Sequence, residues 1–576
     1  MRSALPTLAL ACLVAACGGG EVDGDGNPMT SGTGGQGAGG GLAPSNGGSG
    51  NRPGQGGTPP GLGGTSSTGG QTTHEPEPGF TLDCAASKPG KPVLRLLTRT
   101  EVDSSLNAVF PELKGEWTDS LPASNVSKLG FDNDARTEVS TQFASALLET
   151  AESLATALVG SKLTTLLPCA SAGDKACATS FLSTYGRRLF RRPLTTDESQ
   201  KYLAFFDSAL AKSDFKTALK WMTIGLIQSP NAVYRSEVGT PSGSARNLDA
   251  HEMATELAFT FTGAPPSEEL LDKADSGDLG DRLAIAKELL ASEAGKLQFQ
   301  RFFEAYTGFP RVSAISKPNV QDFATVSADM VQETRRFIDD ILVQKEGGVR
   351  ELLTANTTNP SQRLAQFYGF SAPGADYSSV ARPAGKGVGL LAQGSFLATR
   401  SSSNVSSPTQ RGLFVFTRLL CRTPPSPPDT VPPLATGSGA QLTTRQRYEQ
   451  AHAQGTCSSC HQLFDPIGFG FEHFDEAGRY RDQEFGMPVD SKSHVPEIDR
   501  SVAFEFDDQE GLMTGLADRA EVYQCFANYL ATYAFGTNDA CLGTSQVENM
   551  KNGTIGIRDA FANLATEPHF SQRSSQ

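Results

Sequence analysis

Several things are scarce in this 576-residue sequence, and each scarcity narrows its role. Past residue 17 no unbroken apolar run reaches the length that crosses a bilayer, so no membrane-spanning helix is expected. Positive charge is in deficit: 49 Lys and Arg face 63 Asp and Glu, a formal net charge of −14. That balance argues against a partner held through a nucleic-acid backbone. Strand-like alternation is confined to Arg479–Phe506, where Tyr480, Phe485, Val489, Val495, Ile498, Val502, Phe504 and Phe506 punctuate polar residues. Familiar catalytic signatures are missing as well. His251-Glu252 opens like a zincin helix, but position 255 is Thr and no second His follows. Gly385–Gly389 lacks phosphate-loop spacing and reads as a turn before Leu390. No Ser/His/Asp arrangement can be named from order alone, because a triad is defined by geometry.

What is present begins at the N-terminus. Met1-Arg2 and the apolar run Leu5–Ala16 form a short export signal. Val14-Ala15-Ala16-Cys17 has the form of a bacterial lipobox, which makes Cys17 the first mature residue and the site of a lipid anchor. Residues 18–80 are Gly, Ser, Thr and Pro with almost no large apolar side chain, the composition of a disordered tether. The expected product is an exported lipoprotein, anchored at the outer membrane and facing the periplasm or the cell surface.

Helical signals dominate the remainder. Thr98-x-x-Glu101 and Thr195-x-x-Glu198 are capping boxes ahead of apolar residues at helical spacing. Further helices are expected over 135–159, 181–190, 215–228, 249–261, 283–290, 297–306, 328–343, 364–370, 411–421 and 441–453. Arg187, Arg188, Arg191 and Arg192 read as partners for neighbouring carboxylates. The fold expected is mainly α: a multi-helical body over 81–388, then a C-terminal helical domain over 389–576 with a small β region. Pro424–Pro428 and Pro432-Pro433 form an extended strap between two of its helices.

The most informative stretch is Cys457-Ser-Ser-Cys460-His461. Two cysteines three apart, with histidine directly after, is the attachment signature of a c-type haem. One helical turn brings both thiols under the porphyrin vinyl groups, and the next residue offers its imidazole to iron. With 10 Cys and 7 His in 576 residues, composition alone yields this pattern roughly 0.002 times. Three plainer readings stay open: a tight disulfide, a redox-active pair, or a metal site with His461 and either His452 or His473. On the haem reading Cys457 and Cys460 are thioether anchors of one covalent haem and His461 is the proximal ligand. Met487 is then the candidate distal ligand, with Met513, His473 and His494 as rivals. Arg479 and Arg481 either meet the propionates or face solvent. Asp465, Glu472 and Asp475 form a second group; Pro466 and Gly468 suggest a bend, so Asp465 reads as a helix cap and the others as partners of backbone amides.

Export permits disulfides. The local pairs Cys169–Cys177 and Cys525–Cys541 are plausible, which leaves Cys84 with Cys421 by elimination.

Across the chain run Leu96–Glu101, Phe190-Arg-Arg-Pro-Leu194, Gln228–Glu237, Gly389–Phe396, Ser407–Gly412, Cys421–Pro428, Cys457–Arg481, Cys525–Gly536 and Gly556–Asp559. In this order they resemble a family of uncharacterised secreted proteins of planctomycetes and myxobacteria, built from consecutive domains of unknown function with a cytochrome-c-like segment. The resemblance implies a mostly helical exported protein and supplies no established activity. The chain departs from the family pattern after Glu101, where Val102-Asp103-Ser104 stands in place of a Tyr and an Asn pair. It departs again after Gly536, where Thr537 replaces Arg. Two functions are compatible with these features. One is a membrane-tethered monohaem redox protein with a partner protein in the cell envelope. The other is a non-catalytic envelope scaffold in which Cys457, Cys460 and His461 form a structural staple.

Overall fold

The two capping boxes written in the sequence are helix starts the chain uses, whereas the helix expected from 135 begins only at Thr141 and the one expected from 328 begins at Phe323. Thr98, Thr195 and Asp249 each accept from the backbone amide three residues on, while Glu101, Glu198 and Glu252 reach back to the cap amide. Two otherwise orphaned donors are satisfied at each end. The helices opened by these caps are Arg99–Val109, Thr196–Leu210 and Ala250–Thr262. In the computed structural model, which describes residues 88–128, 130–425, 442–452, 455–497, 503–539 and 541–575, the fold is mainly α, with 24 α-helices and only small antiparallel sheets. The signal segment, Cys17, the tether, Cys84 and residues 426–441 of the proline strap lie outside the described residues. Among the described residues no helix is long and apolar enough to cross a membrane.

Pro76–Gln576 makes one compact unit with two apolar cores. The first gathers Leu97, Leu106, Leu154, Phe181, Phe206 and Leu226; the second takes in Phe261, Phe302, Leu391, Phe414, Phe464, Phe526 and Phe561. The second core runs without interruption across residues 388 and 389, with Val388 and Leu390 both inside it. Several expected helices carry a wider π turn: Leu182–Gly186, Asp339–Gln344 and Val415–Leu419. The last exposes the carbonyls of Thr417 and Arg418, which accept from the hydroxyls of Tyr529 and Tyr306.

The small β region appears as two ladders, Gln483–Glu484 with Met487–Pro488 and Ser493–Val495 with Phe504–Phe506. Other strands had no sequence signal. Val93–Leu96 pairs antiparallel with Tyr234–Glu237, and Ala245–Asn247 lies between Thr240–Ser242 and the C-terminal Gln572–Ser574. The disulfides also differ in part from expectation. Cys169 bonds Cys177 as expected, but Cys421 bonds Cys525. This replaces both the Cys525–Cys541 and the Cys84–Cys421 pairings: helix Ala520–Phe535 packs on the Val415–Leu419 turn and brings their Cα atoms to 5.4 Å. Cys541 is itself disulfide-bonded.

The arginine cluster meets carboxylates as expected: Arg187 pairs with Glu268, Asp272 and Asp275, and Arg192 with Glu198. Arg191 instead turns inward to the carbonyls of Leu189, Asn231, Ala232 and Tyr234.

The β pairings between residues far apart in sequence enclose a charged cluster. Arg95, Arg235 and Arg573 are buried beside Glu101, Glu237 and Glu256. Burial works against an ionised Glu237, but the charges of Arg573, Arg95 and Arg235 outweigh it and hold the group down at about 2. Burial and then the charge of Glu237 push Glu256 up to about 7. The two carboxylates titrate as a coupled pair, with the ionised form favoured on Glu237 and the protonated form on Glu256. Because the folded-state value of Glu256 lies above its ordinary 4.5, its contribution is complete below pH 4.5 and is lost as pH rises through 7. We expect wild-type stability to fall between pH 5 and pH 8 as this group ionises, by on the order of 2 kcal/mol. Urea unfolding at several pH values should show the slope in the wild type and its absence in Glu256→Gln; equal slopes in the two chains would refute the assignment.

Candidate functional site

The Cys-Cys-His stretch lies on helix Gly455–Phe469, which continues through Pro466 to the end of its last turn. Cys457 and Cys460 are free thiols one turn apart, each partly exposed. Because the helix is unbroken at Pro466, His461 and Asp465, four apart, share one face. The Nδ1 of His461 lies 3.0 Å from Asp465 Oδ2. Helix Thr444–His452 brings a second imidazole, whose Nδ1 is 2.6 Å from the same oxygen. The two rings stack with centroids 3.5 Å apart. From a third helix, Pro408–Phe414, the Thr409 hydroxyl donates to Asp465 Oδ1 at 2.6 Å.

Asp465 is therefore no helix cap. It is an interior helical residue, 4 % exposed, that collects three side chains from three helices. Burial alone would raise its pKa, but the bonds from His452, His461 and Thr409 outweigh that and keep it below the ordinary carboxylate value. Of the two histidines considered as neighbours of His461, the fold brings up His452. His473 instead bonds the carbonyl of Arg481 and stacks on Tyr480.

The helices meet closely because of glycine. A Cβ on Gly412 would lie 1.9 Å from the Phe464 carbonyl oxygen, and one on Gly468 would lie 1.9 Å from that of Pro408. Helices Pro408–Phe414 and Gly455–Phe469 thus touch backbone to backbone, which places Thr409 within reach of Asp465 and His461.

The other expected residues are held nearby or elsewhere. Arg479 pairs with Asp475 at 2.8 Å, and Asp475 also accepts from the amides of Ala477 and Arg479, its expected role. Arg481 is shared between Glu472 and Glu484. Glu472 is buried beyond the end of the helix, so it does not share a helical face with Asp465; burial raises its pKa. Met487 sits half-buried in the short ladder opposite Glu484. Met513 is fully buried in helix Gln509–Ala517, and His494 lies on an exposed position of strand Ser493–Val495. The side chains against the His461 ring include His452, Thr409, Phe464 and Asp465. Thr409 carries no sequence signal of its own. A separate cavity of about 750 Å³ is lined by Asp329, Ser361, Arg363, Phe370, Asp376 and Tyr377. Its Asp329 carboxylate is already taken by Ser361, Arg363 and Tyr377.

Three stretches match described families. Residues 177–237 are similar to a protein of unknown function (DUF1595), residues 248–370 to another (DUF1592), and residues 387–484 to a third (DUF1588). The chain thus carries consecutive modules of unknown function, as the resemblance implied, and the Cys-Cys-His stretch falls in the third. Neither the curated proteins nor the solved structures contain a match.

Proposed function

We propose that this chain is an exported, lipid-tethered monohaem protein of the c type, which transfers electrons or supports an oxidation in the cell envelope. One observation carries the reading. In a chain whose Cys169, Cys177, Cys421, Cys525 and Cys541 are all in disulfides, the two thiols of the attachment signature are free, one helical turn apart and partly exposed.

The residues fit the group. Cys457 and Cys460 supply the two thioether sulfurs. His461 supplies the iron ligand: with Nδ1 held by Asp465, its Nε2 is the nitrogen left to coordinate. A carboxylate behind a ligating imidazole fixes the ring and raises its basicity, and Thr409 in turn fixes the carboxylate. When bound, haem supplies a one-electron couple whose potential is set by the axial ligands and the burial of the site. Met487 would be the second residue to hold the iron. In this reading Arg479 and Arg481 would hold the propionates while keeping their partners Asp475, Glu472 and Glu484.

The anchor at Cys17 and the tether over 18–80 hold the folded part off the membrane, at the outer membrane facing periplasm or surface, with a redox partner protein in the same compartment and no nucleic acid.

Purified from a host with haem-attachment machinery, the chain should weigh the polypeptide and lipid plus one haem and show a Soret band. Cys457→Ser should lose the covalent haem while retaining the helical circular dichroism of the wild type. A folded wild-type chain of bare polypeptide and lipid mass would end the redox reading and leave the scaffold one.

A further inference from the structure

From the convergence of His452, His461 and Asp465 we infer that the haem-free chain binds one divalent transition-metal ion through these three side chains. Their ligand atoms lie within 4.8 Å of one another. The inference does not rest on the haem reading, since it uses no porphyrin and neither thiol.

The argument begins with charge. Asp465 is buried, and among the described residues its ion-pair partners are the two imidazoles. A buried carboxylate needs a counter-charge, and a neutral imidazole does not supply one. A divalent cation supplies that counter-charge and takes both rings as ligands.

The donor set has the right chemistry. Two imidazoles and one carboxylate suit zinc and its neighbours in the first transition row, and they leave coordination positions for water. Both imidazoles already turn Nδ1 toward one oxygen, at 2.6 and 3.0 Å. The second carboxylate oxygen is fixed by Thr409, the outer-shell bond that orients a ligand. The histidines are each partly exposed, so an ion reaches the site from solvent. In the haem-free chain the ion would pin helix Thr444–His452 to helix Gly455–Phe469.

The experiment titrates the full chain, made without haem-attachment machinery, with Zn²⁺ and separately with Co²⁺. One equivalent should bind and raise the thermal midpoint. Both effects should be lost in His452→Ala and, as a milder variant that keeps a planar polar group, in His452→Gln. The Cys457→Ser, Cys460→Ser double variant should still bind, and the cobalt spectrum should lack a thiolate-to-cobalt charge-transfer band. Binding that survives in both His452 variants, that vanishes with the thiols, or that shows the thiolate band would overturn the assignment, as would no binding at all. Because the titrated chain carries no haem, a failure of haem attachment leaves its result standing.

Discussion

Gly468→Ala should separate the haem-motif helix from its neighbour and cost more than about 4 kcal/mol, at the far end of what single substitutions do. The new methyl group would arrive 1.9 Å from the carbonyl oxygen of Pro408 and 2.5 Å from its carbonyl carbon. Those are backbone atoms inside helix Pro408–Phe414, so no side-chain rotation relieves the clash. The reciprocal substitution Gly412→Ala meets the carbonyl oxygen of Phe464 at 1.9 Å and the amide nitrogen of Gly468 at 2.8 Å, and should behave alike. Function should suffer beyond stability. Once the helices part, Thr409 no longer reaches Asp465 across its 2.6 Å bond, and the carboxylate behind His461 loses its anchor. We therefore expect a large fall in urea midpoint and, on the proposed haem reading, a lower Soret-to-protein ratio in whatever chain is recovered. Gly374→Ala is the control, since nothing lies within 4 Å of its added carbon and no unusual backbone angle is required. It should stay within about 0.5 kcal/mol of the wild type. Near-neutral behaviour of both Gly412→Ala and Gly468→Ala would mean that the helices are free to slide past each other, and the close crossing would lose its role.

How much of this is readable in the sequence depends on the range of the interaction. Capping boxes at Thr98 and Thr195 are signals between residues three apart, so they survive translation into structure unchanged. Asp465 reads wrongly as a cap because Pro466 and Gly468 imply a bend, yet proline at the last turn of a helix forfeits a single amide bond and the helix runs on to Phe469. The i, i+4 spacing of His461 and Asp465 is visible in the sequence; whether one helix spans both is not. The strand Val93–Leu96 has no such signal, because four residues are too few to establish alternation and its partner starts at Tyr234. Cys421–Cys525 shows the same limit: elimination among sequence neighbours cannot find a bond separated by 104 residues. Thr409 belongs to this class too, since its role exists only because two glycines let two helices touch.

Arg411→Ala tests the other support of this region, and its expected cost is about 4 kcal/mol or more. The guanidinium is fully buried and donates to the carbonyls of Phe471, Phe474 and Asp475 at 3.0, 2.8 and 2.7 Å. These three belong to the reversal just past the haem-motif helix, where no regular ladder can supply donors. A longer contact reaches the carbonyl of Leu397, tying the reversal to helix Gly394–Thr399. Burial lowers the pKa of Arg411 to about 10, still far enough above neutrality to keep the charge. Alanine leaves a cavity and a set of buried acceptors without donors, each costing about 1–3 kcal/mol in its own right, though not additively. It also strips a neighbouring positive charge from buried Glu472, which leans on Arg481 as well. Arg411→Lys separates charge from shape. An ammonium keeps the charge but cannot present the planar fork to several carbonyls at once, so lysine should recover only part of the loss. Urea unfolding should rank wild type above Arg411→Lys above Arg411→Ala. The amides just after Phe469 should lose hydrogen-exchange protection first, because that reversal is the piece the guanidinium holds. A lysine variant as stable as wild type would mean that charge alone suffices, and equal protection in the alanine variant would mean that the reversal is held by something other than Arg411.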